Sequence, residues 1–279
     1  MHDDRFRLIE QLIAADPRER GIGALVQWGA LGSAAQALAA AEKVGVMSGF
    51  YLPVPQAGET DGPPGAKAIA EALEALGIAA PCVTDAPHLP LFRAMGVEAL
   101  EFAPEGLEDG SLEKLAPTHL VATERPGRAA DGRYYSMSGR DLTPYTAPLD
   151  DWFLAAPERG IVTVAIGDGG NEIGMGNVRE LVQRDVPNGE IIASVVPADH
   201  LIVAGVSNYG AYGLVAGLSL LAGRDLLPSP ARALEDLDAC VAAGACCGHT
   251  FVNAPLVDGM PASDTLRLLD DLRGILNGS

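Results

Sequence analysis

The sequence predicts an α/β fold: a three-layer domain in which a mostly parallel sheet carries helices on both faces. Three observations lead there. Short apolar runs alternate with helix-length segments along almost the whole chain, the order that builds parallel sheets. The 279 residues are 48% hydrophobic but only 5% aromatic, enough to bury a core of Ala, Val, Leu and Ile. No stretch is rich enough in Pro, Gly or Ser to mark a linker and no repeat is visible, so 1–279 reads as a single domain.

Residues 4–15 and 33–44 carry apolar positions at helical spacing and are expected to be helices. Val44 to Leu52 reads as a strand interrupted by Gly45 and Gly49. In GETDGPPGA (58–66), Pro63 and Pro64 suit the first turn of a helix over 64–76, because the fixed φ of proline is already helical. Strand signals follow at Ala80–Thr84, Val97–Phe102 and His119–Thr123, and the polar stretch 124–147 has little periodicity. A helix near 149–157 leads into a strand at 161–166, a glycine-rich turn and a helix from about 176. Ile191–Val196 and Leu201–Ala204 are short apolar runs, and helices close the chain at 210–222, 230–243 and 262–276.

A formal charge of −18 argues against DNA, RNA and anionic membranes as general partners, whose phosphates it would repel. A small anionic substrate answers to local charge and stays open. No apolar run approaches the roughly 20 residues of a membrane span, and the N-terminus lacks the apolar core of a secretion signal. Asp3, Asp4 and Glu10 also speak against a transit peptide, so a cytoplasmic protein is expected. Cys82, Cys240, Cys246 and Cys247 lack the paired spacing of a zinc site and read as buried small residues in a reducing compartment. The histidines show no HExxH spacing, and no GxSxG elbow appears.

Polar loops at 56–65, 124–137, 167–177 and 205–210 each follow a strand-like run. In a parallel sheet they would converge beyond the carboxyl ends of the strands. The most pointed is GDGGNEIGMGNV (167–178). It has no lysine, so it is no Walker loop, and Glu172 stands where a dinucleotide fingerprint needs its third glycine. No nucleotide cofactor is expected. What remains is a tight turn with exposed backbone N–H groups beside Asp168, Asn171 and Glu172, suited to a metal ion, an ammonium group or proton transfer. The competing reading is an acidic turn capping the next helix, with Asn177 as N-cap.

ERPGRAADGRYYSM (124–137) reverses the sign of the chain locally. Arg125 and Arg128 could grip carboxylates bidentately, although a loop arginine is more often a solvated or structural charge. Asp61 in GETDGPPGA either faces the cleft or caps the following helix. GVSNYGAYGL (205–214) places Ser207 and Asn208 at another strand-to-helix turn, where backbone donors can bind a carboxylate.

GETDGPPGA, ERPGRAADGRYY, PLDDWF (148–153), GDGGNEIGMGNV, GVSNYGAYGL and VDGMP (257–261) together resemble the D-glutamate cyclases, specifically their C-terminal domain. The resemblance implies dehydration of D-glutamate to 5-oxo-D-proline, with a small-molecule amino acid as partner. In animal members the domain follows an additional N-terminal domain; a stand-alone, bacterial-type form is expected here. The family also brings in a divalent ion, manganese or magnesium, for which Asp168, Glu172 and Asp61 are candidate ligands, though no ligand set is visible by spacing.

Set against that chemistry, Arg128, then Arg125, would bind substrate carboxylates, and Asp168 or Glu172 would act as base or metal ligand. Asn171 would donate to the tetrahedral intermediate, and Asp61 and Glu124 would hold the ammonium or a metal. Backbone N–H groups near Gly169, Gly170, Ser207 and Asn208 would complete an anion pocket. Two other functions use the same residues: an amino-acid racemase or epimerase, and a non-catalytic amino-acid or metal sensor. Ala-rich helices would suit a homo-oligomer.

Overall fold

A computed structural model describes residues 2–102 and 110–278. Two helices, α1 (His2–Ile13) and α2 (Ala30–Ala39), precede the first strand, β1 (Val44–Ser48). A small antiparallel pair, β2 (Tyr51–Leu52) with β3 (Ala57–Gly58), comes before α3 (Pro63–Ala75) and β4 (Cys82–Thr84). Then follow α4 (Leu89–Ala94), β5 (Leu100–Glu101), α5 (Ser111–Leu115), β6 (His119–Thr123) and α6 (Asp150–Arg159). The chain continues through β7 (Val162–Gly167), α7 (Arg179–Asp185), α8 (Gly189–Ile192), β8 (His200–Val203) and α9 (Ser207–Ala222). It ends with α10 (Pro230–Ala242), the antiparallel pair β9 (Leu256–Val257) and β10 (Met260–Pro261), and α11 (Ala262–Asn277).

The apolar runs of the central strands are buried on both faces, whereas the edge strand β5 is exposed. Along β6, β7 and β8, Val121, Val164, Ile166 and Ile202 join one core, while Leu120, Ala122, Ala165, Leu201 and Val203 join the other. Successive side chains point to opposite faces, so a doubly covered strand reads as unbroken apolar sequence. The six strands lie in the order β5-β4-β1-β6-β7-β8, and every pairing is parallel. This is the expected three-layer arrangement.

From β1 the chain winds outward to β4 and β5, then returns to the other side of β1 and winds to β8. The direction therefore switches between β1 and β6, where the loops leaving neighbouring strands part and open a crevice. Behind the sheet, α9 packs against α1, α2, α3 and α11, and its residues Ser207–Leu220 are all buried. A Cβ on Gly213 would come within 2.8 Å of Ile13, so the glycine is what lets α1 lie this close.

Some boundaries differ from the sequence expectation for physical reasons. The run 44–52 is broken at Gly49, whose φ of +131° turns the chain out of the sheet. Helix α2 starts three residues before the expected 33 because Glu10 Oε1 accepts from the N–H groups of Gly29 (2.7 Å) and Leu31 (3.1 Å). The run Ile191–Val196 joins no sheet strand; Ser194 and Val195 donate instead to the carbonyls of Gly170 and Arg128. All four cysteines are free and buried, and no helix among the described residues is long and apolar enough to cross a membrane.

Candidate active site

Because the strands are parallel, the segments leaving β1, β6, β7 and β8 emerge at one edge of the sheet. Glu59 and Asp61 come from the first, Glu124 from the second, and Asp168, Asn171 and Glu172 from the third; all six line a cleft of about 450 Å³. Arg18 and Arg20, between α1 and α2, and Asp258, between β9 and β10, complete the polar floor. The cleft is also lined by Phe50–Val54, Ser136–Ser138, Arg140 and Phe251, which form a further wall.

Within the floor, Asp61, Glu124 and Asp168 can each present one oxygen so that all lie within 4.8 Å of one another. Ser207, fed from β8, ties the three together. Its N–H donates to Asp61 Oδ2 and Asp168 Oδ2, both at 3.0 Å, and its Oγ donates to Glu124 Oε2 at 2.6 Å. The cluster thus rests on the first residue of α9, where unpaired backbone N–H groups favour negative charge.

Two helices also cap one another here. Asp61, just before α3, accepts the Asn208 N–H of α9 at 2.7 Å. Asn208 Oδ1 in turn accepts the N–H groups of Gly62 (3.0 Å) and Gly65 (2.9 Å) at the start of α3. Only glycine fits at 62: its φ is +100°, and a Cβ would sit 2.5 Å from Ser48 Oγ and 2.7 Å from Glu124 Cβ. Gly248 leaves room for the Glu59 carboxylate, since a Cβ there would fall 1.8 Å from Glu59 Oε1 and displace it.

The electrostatics follow from crowding acids out of water. Burial, then the charges of Asp168 and Asp258, push the Asp61 carboxyl well above the usual range. Glu124 is raised in the same way by burial and then by Asp168, Glu172 and Asp61, and Glu59 by burial and then Asp258 and Asp61. Asp168 is pushed up by burial to about 6, with Arg20 opposing the rise. Burial works against the charge on Arg20, but the surrounding carboxylates, led by Asp168 and Asp258, hold its pKa above the ordinary value. Two of the carboxylates are also held in left-handed backbone conformations, Glu124 at φ +44° and Asp258 at +49°. Each such residue costs on the order of 1–3 kcal/mol, strain that tends to collect at functional sites.

The structure brings Asp61, Glu124, Asp168, Asn171 and Glu172 to the cleft, but it gives several of the expected residues other partners. Glu172 lies outside the three-carboxylate cluster. Its carboxylate accepts the N–H groups of Asp168 (3.1 Å), Gly169 (2.6 Å) and Gly170 (2.7 Å). The donors expected to form an anion pocket at Gly169 and Gly170 are therefore filled from within the turn, and those of Ser207 and Asn208 are filled by Asp61 and Asp168. Asn171 Nδ2 donates to the Tyr135 carbonyl at 2.6 Å, and Asn177 binds the backbone of Ala198 rather than capping a helix.

Neither Arg125 nor Arg128 lines the cleft. Arg125 is buried and donates to Asp85 Oδ2 (2.7 Å) and to the carbonyls of Gly49 (3.0 Å) and Ala147 (2.7 Å). Arg128 is clasped by Asp150 and Asp151, so the PLDDWF segment serves to anchor it. The arginines that do line the cleft are Arg18, Arg20 and Arg140. Nothing in their local sequence marks them out, whereas Asp258 stands inside VDGMP and Glu59 inside GETDGPPGA.

The family described as "D-glutamate cyclase-like, C-terminal" matches residues 9–273. The chain belongs to that family. The human mitochondrial D-glutamate cyclase is 37% identical over 243 residues, covering 78% of this chain and 39% of the human protein. The chain therefore spans well under half of that relative's length. A solved structure of RecJ from Thermus thermophilus in complex with Mn²⁺ aligns with 99% of this chain and 41% of its own, at 11% identity and a TM-score of 0.41. That likeness is too slight to bear on the site.

In this D-glutamate cyclase-like chain the donor set suits a hard divalent cation. Asp61, Glu124 and Asp168 offer three buried carboxylates, the ligand type that magnesium and manganese prefer. Burial, and then the neighbouring carboxylates, raise all three carboxyls, a cost of ionisation that a bound cation would offset.

Proposed function

We propose that the chain dehydrates D-glutamate to 5-oxo-D-proline, joining the α-amine to the γ-carboxylate and releasing water, as a hydro-lyase. The observation that carries this reading is the buried Asp61–Glu124–Asp168 cluster on the cleft floor of a chain from this family. The reaction relocates protons without net change. The ammonium has three hydrogens, the lactam nitrogen keeps one, and the other two leave with a carboxylate oxygen as water. A carboxyl group that takes a proton near nitrogen and returns one near oxygen meets that need.

Asp168 lines the cleft and is held near 6, so both of its protonation states are accessible near neutral pH. The acidic floor attracts the ammonium end of the substrate. Enclosure in a cleft of about 450 Å³ favours the folded conformer in which amine and γ-carboxyl approach each other. A divalent ion held by Asp61, Glu124 and Asp168 would supply Lewis-acid polarisation of the reacting carboxyl group, and Asp168 would then act as a ligand in place of carrying the proton.

Proton NMR of the purified chain with D-glutamate and, separately, L-glutamate, each with and without Mn²⁺, tests the reading. Lactam signals from the D form are expected. Conversion of D- to L-glutamate without lactam, read by chiral chromatography of the same samples because the two enantiomers share one proton spectrum, would replace the proposal with racemisation, and no change by either readout under all four conditions would end it.

A further inference from the structure

Glutamate brings two carboxylates to a floor that is itself made of carboxylates. The γ-carboxylate is consumed in ring closure, whereas the α-carboxylate passes unchanged into the product. During the reaction it needs a cation that no protein carboxylate already holds. Arg18 pairs with Asp258 and contacts His249 Nδ1. Arg20 pairs with Asp168 (3.2 Å) and Asp258 (3.0 Å) and donates to the Gly205 carbonyl (2.6 Å). Arg140 is the third arginine of the cleft lining; it is exposed at the rim, and its guanidinium has no ion-pair or hydrogen-bond partner among the described residues.

The turn that presents Arg140 is well fixed. Ser136 N–H donates to the Arg140 carbonyl (2.9 Å), Gly139 N–H to the Ser136 carbonyl (2.8 Å), and Arg140 N–H to Ser136 Oγ (3.3 Å). From outside, Asn171 holds the Tyr135 carbonyl (2.6 Å) and Asn188 holds the Met137 carbonyl (2.9 Å). The Ser136 and Ser138 hydroxyls lie 2.9 Å apart, and both residues line the same wall. Two hydroxyls and an uncommitted guanidinium thus share one cleft with the buried acids. A planar guanidinium matches a carboxylate by paired, charge-assisted hydrogen bonds.

We propose that Arg140, with Ser136 and Ser138 beside it, binds the α-carboxylate of the substrate and is the specificity-determining residue of the cleft. The assignment rests on the lactam-forming reading for its substrate class. With amine and γ-carboxyl at the floor and the α-carboxylate at the rim, three points on the substrate are fixed. Three fixed points also select one hand at Cα.

Calorimetry with 5-oxo-D-proline and its neutral carboxamide, on the wild type, R140Q and R140K, tests this; lactam formation from D-glutamate is followed in parallel. The wild type is expected to bind the acid roughly 10- to 100-fold more tightly than the amide, the range for losing a charged hydrogen-bonding pair. R140Q should bind both alike, leaving amide affinity within about twofold of wild type, and R140K should restore part of the preference. An acid preference that survives in R140Q, or none in the wild type, overturns the assignment. Lactam formation by a wild type that shows no such preference would sink Arg140 alone. An Arg140-dependent preference without lactam formation would sink the reaction alone.

Discussion

Asp168 stands between opposing influences: burial and Glu172 favour its neutral form, while Arg20 favours its charge, and the balance falls at about 6. Replacing it with asparagine keeps the shape and removes the exchangeable proton. D168N is expected to lower kcat for lactam formation roughly 10²- to 10⁴-fold with the far-ultraviolet circular dichroism unchanged. Turnover within threefold of the wild type would remove Asp168 from the chemistry. That Asp168 and Glu172 belong to the cleft was legible from a glycine turn following a strand. Their different tasks were not, because those depend on which carboxylate folds back on its own turn, as Glu172 does. Arg125 and Arg128 show the same limit. Their charge was plain, but their partners, Asp85 and Asp150, lie 40 and 22 residues away along the chain.

At the scale of elements, the crossed caps of α3 and α9 make the cleft floor part of the scaffold. N208A removes the acceptor for the Gly62 and Gly65 N–H groups and leaves the second without a partner. A loss of about 2–4 kcal/mol in urea denaturation is expected, combining a missing cap with a buried unpaired donor. A change below about 0.5 kcal/mol would show that the crossed caps add little to stability. Pro63 and Pro64 announced the start of α3 in the sequence, and the apolar spacing announced α9. The cap itself could not be read there: it comes from another helix, and a side chain's reach across space leaves no periodic trace.

For the whole molecule, two sets of carboxyls pull stability in opposite directions with pH. Burial opposes the charge of Asp85, but Arg125 and His88 hold its carboxyl far below the usual range; its contribution is present above the unfolded value near 4 and lost below it. Glu59, Asp61, Glu124 and Asp168 are raised, so their contribution is full below the unfolded values and is lost as pH climbs through the folded ones, Asp168 at about 6 among them. Metal-free protein should therefore melt highest at mildly acidic pH and lose Tm between pH 5 and 8. Mn²⁺ should restore Tm at pH 8 more than an equal ionic strength of NaCl, because an ion bound only by the folded state stabilises it. E124Q should raise the metal-free Tm at pH 8 by about 3 °C or more and blunt the response to Mn²⁺. Scanning calorimetry measures all three, and a Tm flat from pH 5 to 8 would contradict the account. The architecture behind these effects was the most legible level, since doubly covered parallel strands leave unbroken apolar runs and each drew a strand signal.

The bond from the Asn208 N–H to Asp61 spans 147 positions of the chain. Closing so long a loop is slow relative to forming either helix, so this contact belongs to the late steps of folding. The helices can be present while the acids that sit on them are still apart. In refolding from urea, helical circular dichroism should therefore return before Mn²⁺ binding does. Simultaneous recovery would mean that the two halves of the chain dock before their helices are complete.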